Sequence, residues 1–278
     1  MHALTLKDGT VKQFTRMEIM GILNVTPDSF FAGSRTPDKE KALVRAAQMI
    51  EEGAALIDVG GESTRPGAAP VSSDEEAARV CPVIEEIKAL HPEILVSVDT
   101  YHAKTAAAAC ASGADIINDI SGLTFDKDMA AATAAAGVPV VIMHTGGRPD
   151  HMQDSPSYRD VVGEVHAFLH RQIEYAKTCG IEKEKIIIDL GIGFGKNYLH
   201  NLTLLQHIDD FADLGVPQLL AVSRKSFIGT ALSREDPKDR LAGTMAVTAY
   251  GVRHGIEMVR VHDVAPNLDM ARMTEVLG

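Results

Sequence analysis

The amino-acid sequence predicts an α/β fold, a (β/α)8 TIM barrel with an N-terminal β-hairpin. The chain has 278 residues, and a barrel of this kind usually needs about 250. Eight short apolar segments alternate with helical segments, and eight such units favour a closed barrel over an open sheet. Nowhere does the composition shift as it would at a linker, so we expect residues 1–278 to form a single domain.

The hairpin is expected first, in LTLKDGTVKQF (4–14), with a turn from Lys7 to Thr10. We expect it to cover the bottom of the barrel. The strands should follow as continuous apolar runs, because a strand buried on both faces has no polar side to alternate with. These runs are EIMGILN (18–24), ALIDVGG (55–61), ILVSVDT (94–100), ADIINDI (114–120), VPVVIMH (138–144), KIIIDLG (185–191), QLLAVSR (218–224) and EMVRVHD (257–263).

The helices between the strands are predicted from their ends. Thr36 followed by Pro37 is typical of a helix start. Ser72 with Glu75 indicates a capping box, which opens a helix that reaches to about Leu90. Glycines follow five helical runs, at the place where a left-handed C-terminal cap belongs. They are Gly53, Gly113, Gly137, Gly180 and Gly215.

The composition excludes several classes of function. Apolar residues make up 45% of the chain, aromatic residues only 5%, and Trp is absent, so the core must be aliphatic. The net charge of −11 argues against a surface for nucleic acid or for acidic membranes. No apolar run approaches the roughly 20 residues of a membrane span, and the three cysteines lack metal-ligand spacing. We expect a cytoplasmic protein that binds neither nucleic acid nor membranes.

Polar side chains stand at the carboxyl end of every predicted strand, where (β/α)8 barrels carry their active sites. A single one could be a structural hydrogen bond, but a carboxylate or amide inside an apolar run is costly unless it is paired. Eight on one face therefore predict an active site. They are Asn24, Asp58, Asp99, Asn118, His144, Asp189, Ser223 with Lys225, and Arg260 with His262.

The kinds of side chain at these strand ends indicate which class of ligand the site binds. Carboxylates and an amide suit a flat heterocycle with several N–H donors, and these are Asp99, Asn118 and Asp189. The last two strands supply the cations Lys225, Arg260 and His262, on the side where such barrels commonly bind phosphate. Asn24 offers a hard oxygen for a hydrated Mg²⁺ held mainly by substrate phosphates. A donor-rich ring that carries a diphosphate fits both the carboxylate and amide group and the cationic group.

Seven segments that contain these residues form an ordered set along nearly the whole chain. They are MGILNVTPDSF (20–30), DVGGESTRPG (58–67), SVDT (97–100), IND (117–119), DLGIGFGK (189–196), SRKS (223–226) and RVHD (260–263). This set closely resembles the motifs of the dihydropteroate synthase family of pterin-binding enzymes. The resemblance implies an Mg²⁺-dependent transferase of folate biosynthesis, a target of sulfonamides and a homodimer. Its substrates would be 6-hydroxymethyl-7,8-dihydropterin diphosphate and p-aminobenzoate, and its products 7,8-dihydropteroate and pyrophosphate.

The resemblance also implies a role for each matching residue. The pterin ring would be bound by Asp99, Asn118, Met143, Asp189 and Lys225. The diphosphate would be bound by Asn24, Thr64, Arg260 and His262, with Asn24 also a ligand of the metal. The p-aminobenzoate would be bound by Thr64, Arg65, Pro66, Phe194, Ser223 and Lys225, the first three on a loop that closes over the reacting centre. The catalytic residues would be Asp99, Asp189, Lys225, Arg65 and Thr64.

Two positions depart from the family pattern. Ala32 stands where the family often has an aspartate, so any role of that carboxylate is absent or passes to Asp28. Leu190 replaces a usual proline, and we expect this change to affect backbone shape only. The loop from Thr145 to Arg148 receives no role.

Four other features were weighed against simpler interpretations. The glycines of 191–195 suggest a dinucleotide loop, but Lys196 stands where its third glycine should be. His166 and His170 are four apart on a predicted helix, and exposed positions are favoured over metal ligands. His144 could contact ligand or serve structure. For Glu62 and Arg224, structural ion pairs are favoured.

Two other functions remain open from the residues. A methyltetrahydrofolate:corrinoid methyltransferase would share a pterin-binding mouth, but it has no use for the cationic group or for the Ser-Thr-Arg-Pro loop. The second is a pterin-binding protein without catalysis, which the sequence distinguishes poorly from an active enzyme. Ala32 is the feature that favours it.

Overall fold

The computed structural model of the chain describes residues 2–26, 35–63, 70–148, 152–153 and 156–278, without the side chains of 35–38. Its strands are β1 Ala3–Thr5, β2 Val11–Gln13, β3 Glu18–Asn24, β4 Leu56–Gly60, β5 Leu95–Asp99, β6 Ile116–Asp119, β7 Val140–Met143, β8 Ile186–Asp189, β9 Leu219–Ala221 and β10 Met258–Val261. Its helices are α1 Arg35–Glu51, α2 Ser73–Leu90, α3 Ala103–Ala111, α4 Met129–Ala136, α5 Val161–Thr178, α6 Tyr198–Gln206, α7 Ser226–Leu232, α8 Leu241–Arg253 and α9 Val264–Leu277.

Eight parallel strands, β3 to β10, form one sheet in the order β8-β7-β6-β5-β4-β3-β10-β9. The two edges meet, because Ile188 of β8 bridges to Gln218 and its N–H donates to the Pro217 carbonyl (2.9 Å). Every residue of β4, β6, β7, β8 and β9 is buried, as continuous apolar runs require. The predicted (β/α)8 barrel is confirmed.

The N-terminal hairpin is also confirmed, with β1 antiparallel to β2. Leu4 and Phe14 are buried in a cluster with residues from the starts of the barrel strands. Those partners are Met20, Leu56, Ile116, Val141, Ile187, Leu219 and Met258. The hairpin therefore closes the bottom of the barrel, as predicted.

Most of the predicted helix ends are confirmed. The Ser72 side chain accepts a hydrogen bond from the Glu75 N–H (3.3 Å). All five predicted cap glycines have positive φ angles, from +66° at Gly215 to +106° at Gly113. The predicted start at Thr36 is wrong, since α1 already includes Arg35. Proline is tolerated in the first turn of a helix, where its missing N–H costs nothing.

The barrel strands other than β3 are shorter than the predicted runs. Their final polar residues leave the sheet and enter the loops above it, so His144, Ser223 and His262 stand just beyond β7, β9 and β10. Within the described residues, none of the helices has both the length and the apolar character that a membrane crossing requires.

Candidate active site

The carboxyl ends of the barrel strands form an open mouth, and an ion-pair network crosses it. Arg260 of β10 donates from Nε to Asp58 Oδ2 of β4 (2.5 Å) and from Nη2 to Asp99 Oδ2 of β5 (2.6 Å). The same Asp58 oxygen accepts a hydrogen bond from the Asn118 amide of β6 (3.1 Å). In the register of the sheet Asp99 also lies directly beside Asn118. The structure thus brings together three of the predicted site residues.

One carboxylate oxygen of each acid in this network has no partner in the described part of the chain. Oδ1 of Asp58 and Oδ1 of Asp99 are both buried and accept no hydrogen bond from any residue that the structure describes. Buried polar atoms are nearly always satisfied in folded proteins, so two orphaned acceptors in one mouth point to a ligand that donates to them. Asp58 was noted only as a strand-end residue in the sequence, and its central place in the network was missed.

Burial and charge perturb the pKa values of this network. Burial raises the pKa of Asp99 to about 7; the Arg260 guanidinium opposes this shift and the Asp58 carboxylate adds to it. Burial alone would lower the pKa of Arg260, but Asp58 and Asp99 beside it raise that pKa above its usual value. Arg260 therefore stays charged, while Asp99 is close to its protonation equilibrium at neutral pH.

A second acid–base pair lies on the opposite side of the mouth. Asp189, at the end of β8, is buried and accepts a hydrogen bond from the Gly191 N–H (2.7 Å). Burial raises the pKa of Asp189, and the charge of Lys225 limits that rise. Burial also lowers the pKa of Lys225 to about 8, against the attraction of Asp189. The Lys225 ammonium donates to the Ile192 carbonyl and lies 4.7 Å from the centre of the Phe194 ring.

Apolar side chains line the wall between these two charged groups. Met143 at the end of β7 is 3% exposed and packs in a small cluster with Tyr101, Ile120, Phe125 and Phe194. This cluster is separate from the main core of the barrel. A flat apolar wall beside acceptors and donors is the ordinary lining of a site for a heterocycle.

The predicted diphosphate residues also reach the mouth. The His262 backbone N–H donates to Ser223 Oγ (3.1 Å), and its Nδ1 lies 2.9 Å from the same oxygen. Asn24 is half-buried at the end of β3. A methyl group added at Gly60 would lie 3.7 Å from both Asn24 Oδ1 and Asp99 Oδ2. Glycine therefore keeps the space between these two oxygens open.

Several predicted residues lie outside the described part of the chain. Thr64, Arg65 and Pro66 of the predicted closing loop are among them, as are Asp28 and Ala32. Their roles remain predictions.

Hydrogen bonds join the loop after β5 to Glu62, in the loop after β4, and to Glu76 of α2. Glu62 accepts from the Tyr101 hydroxyl (2.5 Å), and Glu76 accepts from the Thr100 hydroxyl (2.6 Å) and lies 3.0 Å from His102 Nδ1. Burial raises the pKa of Glu62, and the hydrogen bond to Glu76 raises the pKa of His102. One ligand atom from each of these two glutamates and the histidine lies within 4.8 Å of the others. Among the described residues the partner of Glu62 is this tyrosine, and the ion pair predicted for Glu62 stays a prediction.

Arg224 and His166 both contact an aspartate. Arg224 forms a two-point ion pair with Asp263 (2.7 and 3.0 Å), as predicted. His166 lies 2.7 Å from Asp213 and His170 is exposed. Within the described residues, neither histidine belongs to a group of possible metal ligands.

The contact least expected from the sequence is made by Lys196. It was noted only as a misfit in a glycine motif, yet it is 3% exposed and its Nζ lies 2.9 Å from His144 Nδ1. Burial and the Lys196 charge lower the pKa of His144 to about 3. His144 therefore serves structure, as the partner of Lys196. The available signal was a lysine inside an apolar, glycine-rich run.

Comparisons with known proteins agree with this geometry. The family model described as pterin binding enzyme matches residues 20–262. The dihydropteroate synthase of Bacillus subtilis is 44% identical over 276 residues, which cover 99% of this chain and 91% of that protein.

Solved structures show the same likeness. The dihydropteroate synthase from Clostridium difficile, solved in the presence of pteroic acid, is 45% identical with a TM-score of 0.89 and covers 95% of this chain and 97% of its own. The dihydropteroate synthase from Xanthomonas albilineans with 4-aminobenzoic acid is 42% identical with a TM-score of 0.91, covering 99% of this chain and 97% of its own.

Proposed function

Since the chain belongs to the pterin-binding enzyme family, we propose that it acts as a dihydropteroate synthase of folate biosynthesis. The reaction joins 6-hydroxymethyl-7,8-dihydropterin diphosphate to p-aminobenzoate and releases pyrophosphate. The observation that carries this proposal is the crossing network of Asp58, Asp99, Asn118 and Arg260. Two of its buried carboxylate oxygens have no hydrogen-bond partner among the described residues and can accept from a ligand.

The pterin ring would lie between the two charged groups, against Met143. Its N–H donors would satisfy the free oxygen of Asp99 and the carboxylate of Asp189, while the Asn118 amide and Lys225 contact its polar edge. Both carboxylates are buried, where hydrogen bonds are strong and mismatched ligands are penalised. This arrangement selects a flat ring rich in donors.

The diphosphate would lie toward Asn24, Arg260 and His262, with Thr64 closing from the predicted loop. Arg260 already faces two carboxylates, so the network carries a net negative charge when both are ionised. A divalent cation would offset this charge when a diphosphate binds there, and the Asn24 oxygen fits the preference of Mg²⁺ for hard oxygen ligands. Bound Mg²⁺ would neutralise charge on the departing pyrophosphate. Chelation with EDTA should stop turnover, and added Mg²⁺ should restore it.

The reaction is a displacement at the exocyclic methylene of the pterin. The methylene C–O bond breaks and pyrophosphate leaves with the bonding electrons. The lone pair of the arylamine then forms the new C–N bond, and the amine releases a proton. In a loose path of this kind positive charge spreads over the ring, where Asp99 and Asp189 stabilise it electrostatically. No covalent intermediate with the protein is required.

The p-aminobenzoate would occupy the space beside Phe194, Ser223 and the stem of Lys225. The Lys225–Phe194 contact of 4.7 Å forms one wall of this pocket. Thr64, Arg65 and Pro66 would cover it and exclude water from the reactive cation.

We further propose that the enzyme is a cytoplasmic homodimer that associates through its later helices. Large apolar side chains are exposed on α6 and α9, with Leu199 at 67%, Met273 at 54% and Val276 at 80%. The three cysteines are free, which suits a reducing compartment. Light scattering coupled to size exclusion should give twice the mass of the chain.

The direct test is to incubate the purified protein with both substrates and Mg²⁺ and to measure pyrophosphate and dihydropteroate together. A dihydropteroate synthase forms the two in equal amounts. A pterin-binding protein without catalysis would bind the pterin diphosphate and form neither product, and a corrinoid methyltransferase would also leave both substrates unchanged.

A further inference from the structure

The loop between β8 and α6, residues 191–195, is held by hydrogen bonds from side chains that lie outside these five residues. It carries Phe194, which the proposed function places in the p-aminobenzoate pocket. Each of its five successive carbonyls accepts a hydrogen bond from a side chain. The donors are Lys196 to Gly191 (2.9 Å), Lys225 to Ile192, Gln153 to Gly193 (2.6 Å), Lys196 to Phe194 (3.0 Å) and Tyr158 to Gly195 (2.9 Å).

Lys196 is the centre of this arrangement, because it binds two of the five carbonyls and also meets His144. Its Nζ lies 2.9 Å from His144 Nδ1, so the lysine donates to that nitrogen of a neutral imidazole. Burial lowers the pKa of Lys196 to about 7, against the attraction of Asp189. In the described part of the chain, no carboxylate forms an ion pair with it. A buried ammonium is costly unless its three hydrogens are bound, and here all three have acceptors.

The loop needs such restraint because of its backbone. Gly191 has a φ of +66°, and a Cβ there would lie 1.7 Å from the His144 carbonyl. Gly195 has a φ of +62°, and its Cβ would lie 2.5 Å from Gly146. Only glycine permits these close approaches, but glycine also leaves the chain free to move. The external donors remove that freedom.

We propose that Lys196 is a positioning residue for the p-aminobenzoate pocket, holding the 191–195 loop so that Phe194 faces Lys225. It acts through the loop and touches neither substrate. By binding His144 it also ties the loop to β7, beside Met143. Asp189 stands on β8 itself and contacts the loop through the Gly191 N–H (2.7 Å), so we expect the pterin contacts to depend on Lys196 less than Phe194 does. The inference rests on the proposed function for the identity of the pocket.

The test compares Lys196→Met with Lys177→Met, a matched change at an exposed lysine of α5. Lys196→Met keeps the apolar stem and removes every donor. We expect the KM for p-aminobenzoate to rise about tenfold, the effect of losing hydrogen bonds to a charged group. The Kd for pterin diphosphate and the kcat at saturation should stay close to the wild-type values. Amide hydrogen exchange in residues 191–196 of the free protein should become faster.

Tyr158→Phe provides a milder second variant, since it removes a single donor from the half-buried hydroxyl at Gly195. It should raise the same KM by a smaller factor, and it tests the inference even if Lys196→Met does not fold. Wild-type KM and wild-type exchange in both variants would overturn the proposal. Equal losses of pterin and p-aminobenzoate binding, with faster exchange throughout β7 and β8, would also overturn it, because Lys196 would then only stabilise the barrel.

The proposed function and this inference fail in different ways. If the wild-type protein forms no dihydropteroate, the proposed function fails, and exchange in the free protein still decides whether Lys196 holds the loop. If the wild-type protein is active and Lys196→Met binds p-aminobenzoate normally, the inference alone fails.

Discussion

Arg260 and Asp99 are 161 residues apart in sequence, yet their side chains meet at 2.6 Å across the mouth of the barrel. The guanidinium also binds Asp58, so one cation faces two buried acids. Removing the cation would leave both acids uncompensated, which is strongly destabilising in a buried network. The network therefore links the stability of the barrel to the site that we assign to the substrate.

The Asp99→Asn variant tests this link through pH. The pKa of Asp99 is raised from 3.8 to about 7 in the folded protein, so folding favours the protonated acid. Its contribution to stability is therefore complete below the ordinary pKa of 3.8 and is lost as the pH rises from there through about 7. Asparagine cannot ionise. The free energy of unfolding of the variant, minus that of the wild type, should therefore be larger at pH 8 than at pH 4.

Urea unfolding at the two pH values measures this difference. The same variant should bind pterin diphosphate weakly, because an amide cannot replace both acceptor oxygens. A variant that loses relative stability as the pH rises would contradict the assignment and indicate that the Arg260 ion pair dominates over burial.

Lys225→Ala should weaken the binding of pterin diphosphate and nearly abolish turnover. The substitution removes the donor that lies beside Asp189 and Phe194, and the loss of such a group at a reacting centre costs about a hundredfold or more in rate. Steady-state kinetics and a direct binding measurement check both effects, with Lys177→Ala on the exposed face of α5 as the control. Unchanged kinetics would count heavily against the assigned site.

The parts of the fold that depend on local pattern could be predicted from sequence. Continuous apolar runs located the barrel strands, and the hairpin and the cap glycines followed from turn and helix-end chemistry. Asp99, Asn118 and Arg260 could be placed at one mouth because parallel strands bring their carboxyl ends together. The start of α1 was missed because proline fits several positions within a first turn.

Contacts that depend on side-chain direction could not be predicted. Asp58 and Arg260 pair across 202 residues, and nothing in either strand indicates which acid the guanidinium will bind. Lys196 looks like an ordinary charged residue at the edge of a glycine run. Its burial follows from the folding of 191–195 against His144, which is a tertiary event with no periodic signal.

Arg65→Ala should lower turnover while leaving pterin diphosphate binding nearly intact. Arg65 lies outside the described residues, and its predicted place is on the loop that closes over the reacting centre after the pterin has bound. A closing loop contributes to the chemical step and to the second substrate more than to the first. Isothermal titration with pterin diphosphate and a turnover assay separate the two effects. A large loss of pterin affinity would show that the predicted role of the loop is wrong.

Sulfonamides should inhibit by competing with p-aminobenzoate. They share its arylamine and its flat ring, so they fit the same wall formed by Phe194 and the Lys225 stem, whereas the pterin contacts at Asp99 and Asp189 lie deeper in the mouth. Raising the concentration of p-aminobenzoate should therefore relieve inhibition, and raising that of pterin diphosphate should not. The inhibition constant should rise together with the p-aminobenzoate KM in Lys196→Met, because both ligands depend on where the loop holds Phe194. Competition with the pterin alone would place the drug in the other half of the mouth and contradict the assigned pocket.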